Sequence, residues 1–420
     1  MGIKCVSQLR QPDCSWSNTR LTGRIPELDG VRGLAILLVL IEHYIRDANQ
    51  IHLAHWETLM LVPFRLAWSG VDLFFVLSGF LIGGILLDAK SAGNYYRTFY
   101  ARRAFRILPL YSLWFIIFTL GLHAPGITRS IFGIDTRTFH RLFNADVPLW
   151  WYSLFLQNIA MSLHRTVGAM WMGITWSLAV EEQFYLLLPV AIRTFATRRV
   201  VQLVCVTILL APFLRIIVLR WTGSSLAPYS LLPCRADSLG YGVLVAVLVR
   251  SERAWLWLAS QRSKAYIVLT VLGVCACVMT KLSLDSAAFV SAGFSVLGMF
   301  YSVLLLLMIV NPGRSERLVF QFKPLRRLGT ISYAVYLLHA GISYLLHGAI
   351  LKGSPNIDNW RSMLVTLLAT GVVLGAASLS WSCFEHPLIK WAHTRFRYSL
   401  PKVELHSSSV SAHQTLESPA

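Results

Sequence analysis

Gly70-Val71-Asp72-Leu73-Phe74-Phe75-Val76-Leu77-Ser78-Gly79-Phe80-Leu81-Ile82-Gly83-Gly84-Ile85-Leu86-Leu87 contains a single charged side chain. A helix needs roughly 20 mostly apolar residues to cross the hydrocarbon core of a bilayer. With its flanks the run supplies them, over 68–88. Nine further runs do the same: 29–45, 107–123, 175–192, 200–221, 236–249, 265–280, 288–310, 328–350 and 361–384. Of the 420 residues, 55% are apolar and only 14% charged, against about a quarter charged in a soluble domain. The sequence therefore reads as an all-α polytopic membrane protein of about ten transmembrane helices, with the lipid bilayer as its first partner.

The charge is lopsided, with 38 Lys and Arg against 20 Asp and Glu, a balance of +18. Nucleic-acid binders gather basic residues on a polar surface; here they punctuate apolar runs, which argues against nucleic acid. Short cytoplasmic loops collect Lys and Arg. With ten spans, 26 basic residues fall on the side of both termini and 10 on the other. An eleventh apolar stretch, 149–163, carries Gln157 and Asn158. If it spanned, every later loop would invert and the bias would vanish, so it reads as an interfacial or re-entrant segment on the outer side. Both termini are then cytoplasmic. The expected organisation is a cytoplasmic segment 1–24, a membrane domain 25–392 and a disordered, Ser-rich cytoplasmic tail 393–420, with no cleavable signal peptide and no appended soluble domain. Seven cysteines form no Cys-x-x-Cys pair, so neither a disulfide framework nor a metal site is expected.

Ionisable residues within spans cost about 2.5–3.5 kcal/mol each at the helix centre and default to functional candidates. In the first span, Arg32 and His43 are eleven residues apart. That is three turns plus roughly 20°, so they share a face roughly 16 Å apart. Arg32 also fits as a snorkelling anchor, and His43 as an interfacial residue. The fourth span holds adjacent carboxylates, Glu181 and Glu182, pointing about 100° apart, so at least one needs a cation or hydrogen-bond donor; an inter-helix salt bridge would serve equally. Arg103 and Arg106, in the basic stretch before the third span, share a face if that stretch is helical and then suit phosphate. Cys234-Arg235-Ala236-Asp237 opens the sixth span with a cation and an anion. Ser332 and His339 lie two turns apart on one face of the ninth, with Tyr336 beside them. Gly79 and Gly83 have the spacing of closely packed helices.

Taken in order, these segments resemble the acyltransferase-3 family of integral membrane O-acyltransferases. The likeness is carried by Leu28-Asp29-Gly30-Val31-Arg32-Gly33-Leu34-Ala35 with His43, by Gly70 to Ile82, by Phe99-Tyr100-Ala101-Arg102-Arg103 through Arg106-Ile107-Leu108-Pro109, by Trp176 to Tyr185, by Ser332-Tyr333 through His339, and by Phe384-Glu385-His386-Pro387. His386 stands where the family usually has Arg or Lys, which leaves the partner of Glu385 open.

The resemblance implies an enzyme that moves an acyl group, commonly acetyl, from cytoplasmic acyl-coenzyme A to a sugar hydroxyl in a surface or exported glycan such as O-antigen or exopolysaccharide, in the inner membrane of a bacterium. It implies His43 as the essential histidine, Arg32 as its partner in an Arg-x10-His motif, and Arg103 and Arg106 as donor-binding. Acyl-coenzyme A is the implied co-substrate, with no metal. An imidazole, with an ordinary pKa near neutrality, is matched to general-base work on a hydroxyl. Glu181 or Glu182 would orient it or stabilise its cation, and Arg32 would hold the thioester carbonyl or the diphosphate. Direct transfer and an acyl-histidine route both fit. Asp72, Arg235, Asp237 and His339 are candidate substrate contacts. The competing class is a sugar or small-molecule transporter using the same charges as a pathway. No oligomeric state is implied.

Overall fold

The computed structural model describes residues 25–46, 66–279, 282, 286–310 and 313–399. The predicted segment 1–24 and the tail from residue 400 onward lie outside the described residues.

The principal helices of the bundle, in chain order, are α1 (Pro26–Ile41), α2 (Gly70–Asp88), α3 (Tyr95–His123), α4 (Trp176–Thr194), α5 (Thr197–Thr222), α6 (Leu232–Leu248), α7 (Arg262–Met279), α8 (Phe294–Val310), α9 (Lys323–Thr330), α10 (Ser332–Leu351), α11 (Trp360–Ser380) and α12 (His386–Arg395). No strand interrupts them among the described residues. In α1, Pro26 occupies the first turn, where its missing N–H costs nothing, and Glu27 and Asp29 complement the positive end of the helix dipole.

Eight helical stretches among the described residues are long and apolar enough to cross a bilayer, against the ten read from the sequence. The two that fall short are α1 and α4. They carry Glu27, Asp29 and Arg32 in one and Glu181, Glu182 and Arg193 in the other, so ionisable residues lower the apolarity of these two helices. Both are nonetheless helical and pack on α2.

The bundle is built around α2, which touches α1, α4, α6 and α8. Its stretch Ala67–Asp88 is 72% buried, whereas Arg262–Met279 is only 6% buried and faces outward. On α5, Leu209, Phe213, Ile217 and Trp221 form an exposed apolar stripe at helical spacing, the surface a helix presents to lipid rather than water. α2 and α6 approach each other closely. A Cβ on Gly79 would overlap the Leu239 carbonyl oxygen, and one on Gly242 would overlap that of Val76, so Gly79 serves as the packing position read from the sequence; at Gly83 a Cβ would only touch Val243, at 3.4 Å.

Loops predicted on one side meet at one end. Lys90 Nζ donates to the Phe195 carbonyl at 2.5 Å, and Arg250 pairs with Asp88 at 2.6 Å. The stretch 149–163, predicted not to span, breaks into helices Leu149–Ser153 and Gln157–His164, with Phe155 between them at φ 55°. Neither piece is long enough to cross. The ordered chain also runs past the predicted boundary at 392: Arg102 donates to the Phe396 carbonyl at 2.7 Å, and Asn94 holds Arg397 and Ser399 by backbone bonds.

Candidate active site

A small cavity, ≈ 120 Å³, lies between α1, α2, α3, α4 and α10. Its polar wall is made by Arg32, Ser78, Arg103, Arg106, Ser177, Glu181, Tyr185, Ser332, Tyr333 and Tyr336, its apolar wall by Phe74, Phe75, Leu178 and their neighbours. The basic stretch before the third span is helical from Tyr95, so Arg103 and Arg106 do share a face. The Arg103 guanidinium carbon lies 5.8 Å from the centre of the Tyr185 ring and 6.0 Å from that of Phe99.

Toward the basic end the cavity adjoins a larger vestibule, ≈ 780 Å³. Arg32, Leu81 and Arg106 belong to the walls of both. Arg32 contacts Asp29 at 3.5 Å. Two guanidinium groups therefore stand where a ligand would pass from the basic end into the helix bundle.

The two carboxylates are treated differently. Glu181 accepts from Ser78 at 2.8 Å and from Tyr185 at 2.9 Å, so both its oxygens are engaged by hydroxyl donors within the cavity wall. Glu182 lies outside that wall and has a buried Oε1 with no hydrogen-bond partner. The His43 ring makes its hydrogen bond elsewhere. The orienting group is the Val39 carbonyl, 3.0 Å from Nδ1. Because a carbonyl only accepts, this bond puts the proton on Nδ1 and leaves the lone pair on Nε2.

His43 sits in a π-helical turn, Glu42–Arg46, that continues α1, and it does not line the cavity. Its ring meets that of His339 edge to face. His339 Nδ1 lies 2.6 Å from the Tyr336 carbonyl, so by the same reasoning its Nε2 is an acceptor, and that atom is buried without a partner. Tyr336 connects the two regions. Its ring borders His339 at 5.8 Å, its hydroxyl bonds Ser177 at 2.5 Å and the Ile174 carbonyl at 2.9 Å, and it closes the cavity on that side.

The structure does not bring Asp72, Arg235 and Asp237 to the cavity. They form a fully buried network in which Arg235 pairs with Asp72 at 2.5 Å and Arg215 with Asp237 at 2.9 Å. Ser295 bonds Asp237 at 2.6 Å, and the Arg235 guanidinium lies 4.0 Å from the centre of the Phe294 ring. These contacts tie α2, α5, α6 and α8 together. Sequence reasoning did not single out Ser78, Tyr185 or Ser177, although each lies in a quoted motif; their signal was a hydroxyl on the same helix face as a carboxylate or across from one. The partner of Glu385 is Ser380, whose hydroxyl donates at 2.8 Å. His386 instead faces the vestibule beside Trp381.

Several known proteins are similar in sequence to this chain. The peptidoglycan O-acetyltransferase OatA of Listeria monocytogenes is 26% identical over 391 residues, an alignment covering 87% of this chain and 56% of that protein. The O-acetyltransferase OatA of Staphylococcus aureus is 26% identical over 397 residues, covering 90% and 59% respectively. The chain thus spans a little over half the length of the curated relatives it matches. No solved structure matches it. The family of acyltransferase domains matches residues 25–382, nearly the whole membrane region, and the chain belongs to that family, the acyltransferase-3 family.

Proposed function

We propose that this protein is a membrane O-acyltransferase that takes an acyl group from acyl-coenzyme A at the basic end of the bundle and passes it to a glycan hydroxyl at the opposite end. The observation that carries the reading is the continuity of vestibule and cavity through Arg32 and Arg106, ending at Tyr336 against the His43–His339 pair. Guanidinium groups match phosphate oxygens in geometry and charge, which suits the diphosphate of the coenzyme, and the small cavity suits a short acyl group such as acetyl. The name of the Listeria relative supports peptidoglycan as acceptor, the sources of the relatives support a bacterial membrane, and the Lys and Arg bias of the loops supports the basic end as the cytoplasmic one.

In this scheme His43 Nε2 takes the proton of the acceptor hydroxyl as the oxygen attacks the thioester carbonyl carbon. The tetrahedral adduct collapses with cleavage of the C–S bond, and the departing thiolate takes the proton back from His43. The products are the ester and free coenzyme A. Arg32 and Arg103 hold the donor, and Tyr336 marks where acyl group and acceptor meet.

The test uses protein in proteoliposomes with acetyl-labelled acetyl-coenzyme A and a glycan acceptor. Labelled ester should form, and His43→Ala should abolish it. If the wild-type protein consumes no acyl-coenzyme A, the reading fails and a carrier using the same charges takes its place.

A further inference from the structure

A third cleft, ≈ 360 Å³, opens at the basic end beside the vestibule and shares Asp29, Thr330 and Trp381 with it. Its remaining wall includes Lys323, Arg326 and Arg327 of α9 and Ser382 of the π-helical turn Trp381–Glu385. α9 reads Lys323-Pro324-Leu325-Arg326-Arg327-Leu328-Gly329-Thr330 and holds three cations and no acid. Positions 323, 326 and 327 stand three and four residues apart, so these cations share one face. The carboxylate in the wall, Asp29, is already engaged with Arg32. The Nε of Arg326 is buried without a hydrogen-bond partner among the described residues.

Three like charges on one helix face repel each other unless an anion lies among them. The half-buried Trp381 ring forms part of both the cleft and the vestibule, adding an aromatic surface to the cationic one. Guanidinium and ammonium groups beside an accessible ring face are the chemistry that holds a nucleotide, phosphate on the cations and base on the ring.

The cleft is fixed relative to the cavity. A Cβ on Gly33 would overlap the Leu325 carbonyl oxygen, and one on Gly329 would overlap that of Asp29. α9 therefore lies backbone against backbone on α1, the helix that carries Arg32. Two cationic sites, Arg32 with Arg103 and Arg106, and Lys323 with Arg326 and Arg327, are thereby held at a set separation with the vestibule between them.

We infer that this cleft binds the adenosine 3′-phosphate end of the donor, a purine nucleotide whose phosphate is separate from the diphosphate linked to the acyl-carrying arm. The inference rests on the acyl-coenzyme A reading above and adds to it a second anchoring site on α9. An anionic lipid headgroup would offer the same phosphate, but it has no base to place on Trp381.

The experiment compares acetyl-coenzyme A with its 3′-dephospho form in nanodiscs of zwitterionic lipid, with direct binding of adenosine 3′,5′-bisphosphate as a readout independent of turnover. The wild-type KM should be lower for the full coenzyme by roughly tenfold or more, as expected for charge-assisted bonds to phosphate. In the double variant Lys323→Gln/Arg327→Gln, both positions exposed, that ratio should fall to about one and binding of the bisphosphate should be lost. Trp381→Leu should raise both KM values together. A wild-type protein indifferent to the 3′-phosphate, or a double variant that keeps the full ratio, overturns the inference. So does a double variant that loses only its affinity for phosphatidylglycerol vesicles, which would make the cleft a lipid site. If the wild-type protein binds the bisphosphate through these residues yet uses no acyl-coenzyme A, the nucleotide cleft stands and the acyltransferase reading falls.

Discussion

The rings of His43 and His339 lie edge to face with their centroids 4.9 Å apart, although the two residues come from opposite ends of the chain. The Tyr44 hydroxyl adds a second link, donating to the His339 carbonyl at 2.9 Å. With both Nδ1 atoms facing backbone carbonyls, each ring keeps its lone pair on Nε2. Loss of a general base costs typically 10²–10⁴-fold in rate, so His43→Ala should reduce acetyl transfer by about that factor. His339→Ala should cost less, about tenfold, if it only seats His43. Radiolabel transfer by the two variants side by side, normalised to folded protein, checks the order; equal losses would give His339 a direct part in the proton transfer.

Arg103 stands in the cavity wall beside the Phe99 and Tyr185 rings and makes no ion pair among the described residues, which leaves it available to a donor phosphate. Arg103→Ala should raise the KM for acyl-coenzyme A roughly tenfold to a hundredfold, the value of one or two charge-assisted bonds at 1.4 kcal/mol per decade. Lys at this position should recover only part, because a point charge cannot reproduce the guanidinium fork. Steady-state kinetics with varied donor decides it, and an unchanged KM would remove Arg103 from the donor site.

Arg235 and Asp72 form a buried pair whose further atoms, Arg235 Nε and Nη1 and Asp72 Oδ2, have no hydrogen-bond partner among the described residues. Breaking such a pair from one side typically costs about 3–5 kcal/mol, whereas replacing both members by apolar residues is often neutral. Arg235→Met alone should therefore lower the thermal midpoint in detergent sharply, and Arg235→Met with Asp72→Leu should recover most of the loss. A single variant that leaves stability intact but kills transfer would return these residues to the list of substrate contacts.

Asp135 caps the outer helix Thr136–Leu142, its carboxylate accepting from the Thr138 amide at 2.8 Å. Hydrogen bonds from Thr138 hold its pKa below the ordinary carboxylate value. A folded-state pKa below the unfolded one stabilises the helix above the unfolded value, about 3.9, and that contribution disappears as the pH falls through the folded pKa. Amide exchange at Thr138 should accelerate across that acidic window, and Asp135→Ala should exchange fast at every pH; a wild-type rate insensitive to that window would refute the cap.

Much of the bundle was legible because the bilayer imposes a simple rule on length and apolarity, and runs such as 68–88 and 200–221 satisfy it on their own. The basic-residue bias placed the loops at the ends where Lys90 meets Phe195 and Asp88 meets Arg250. Arg32, Arg103, Arg106 and Glu181 were legible as charges out of place in apolar surroundings, and they converge on one cavity. What the sequence could not carry was which charge answers which. Asp72 and Arg235 are 163 positions apart, and only the approach of α2 to α6 makes them neighbours. Adjacent Glu181 and Glu182 look alike in the sequence, yet one turns to Ser78 and Tyr185 and the other does not. A π-helical turn at Glu42 changes the direction of His43 in a way that counting at 3.6 residues per turn does not follow.

The polarity of α1 and α4 bears on how the chain enters the membrane. On insertion scales each Asp, Glu, Lys or Arg at depth works against entry of an isolated helix, and these two carry several. Neither is suited to partition into lipid on its own, so each must enter alongside a more apolar neighbour, α1 with α2 and α4 with α5. α1, made before α2 and α9, is then among the last to be secured, waiting for α2 to offer a lateral surface and for α9 to reach its glycines. Glycosylation mapping of truncated nascent chains should find α1 inserted only once α2 has been made. Assembly of the active site and completion of topology would then be one event.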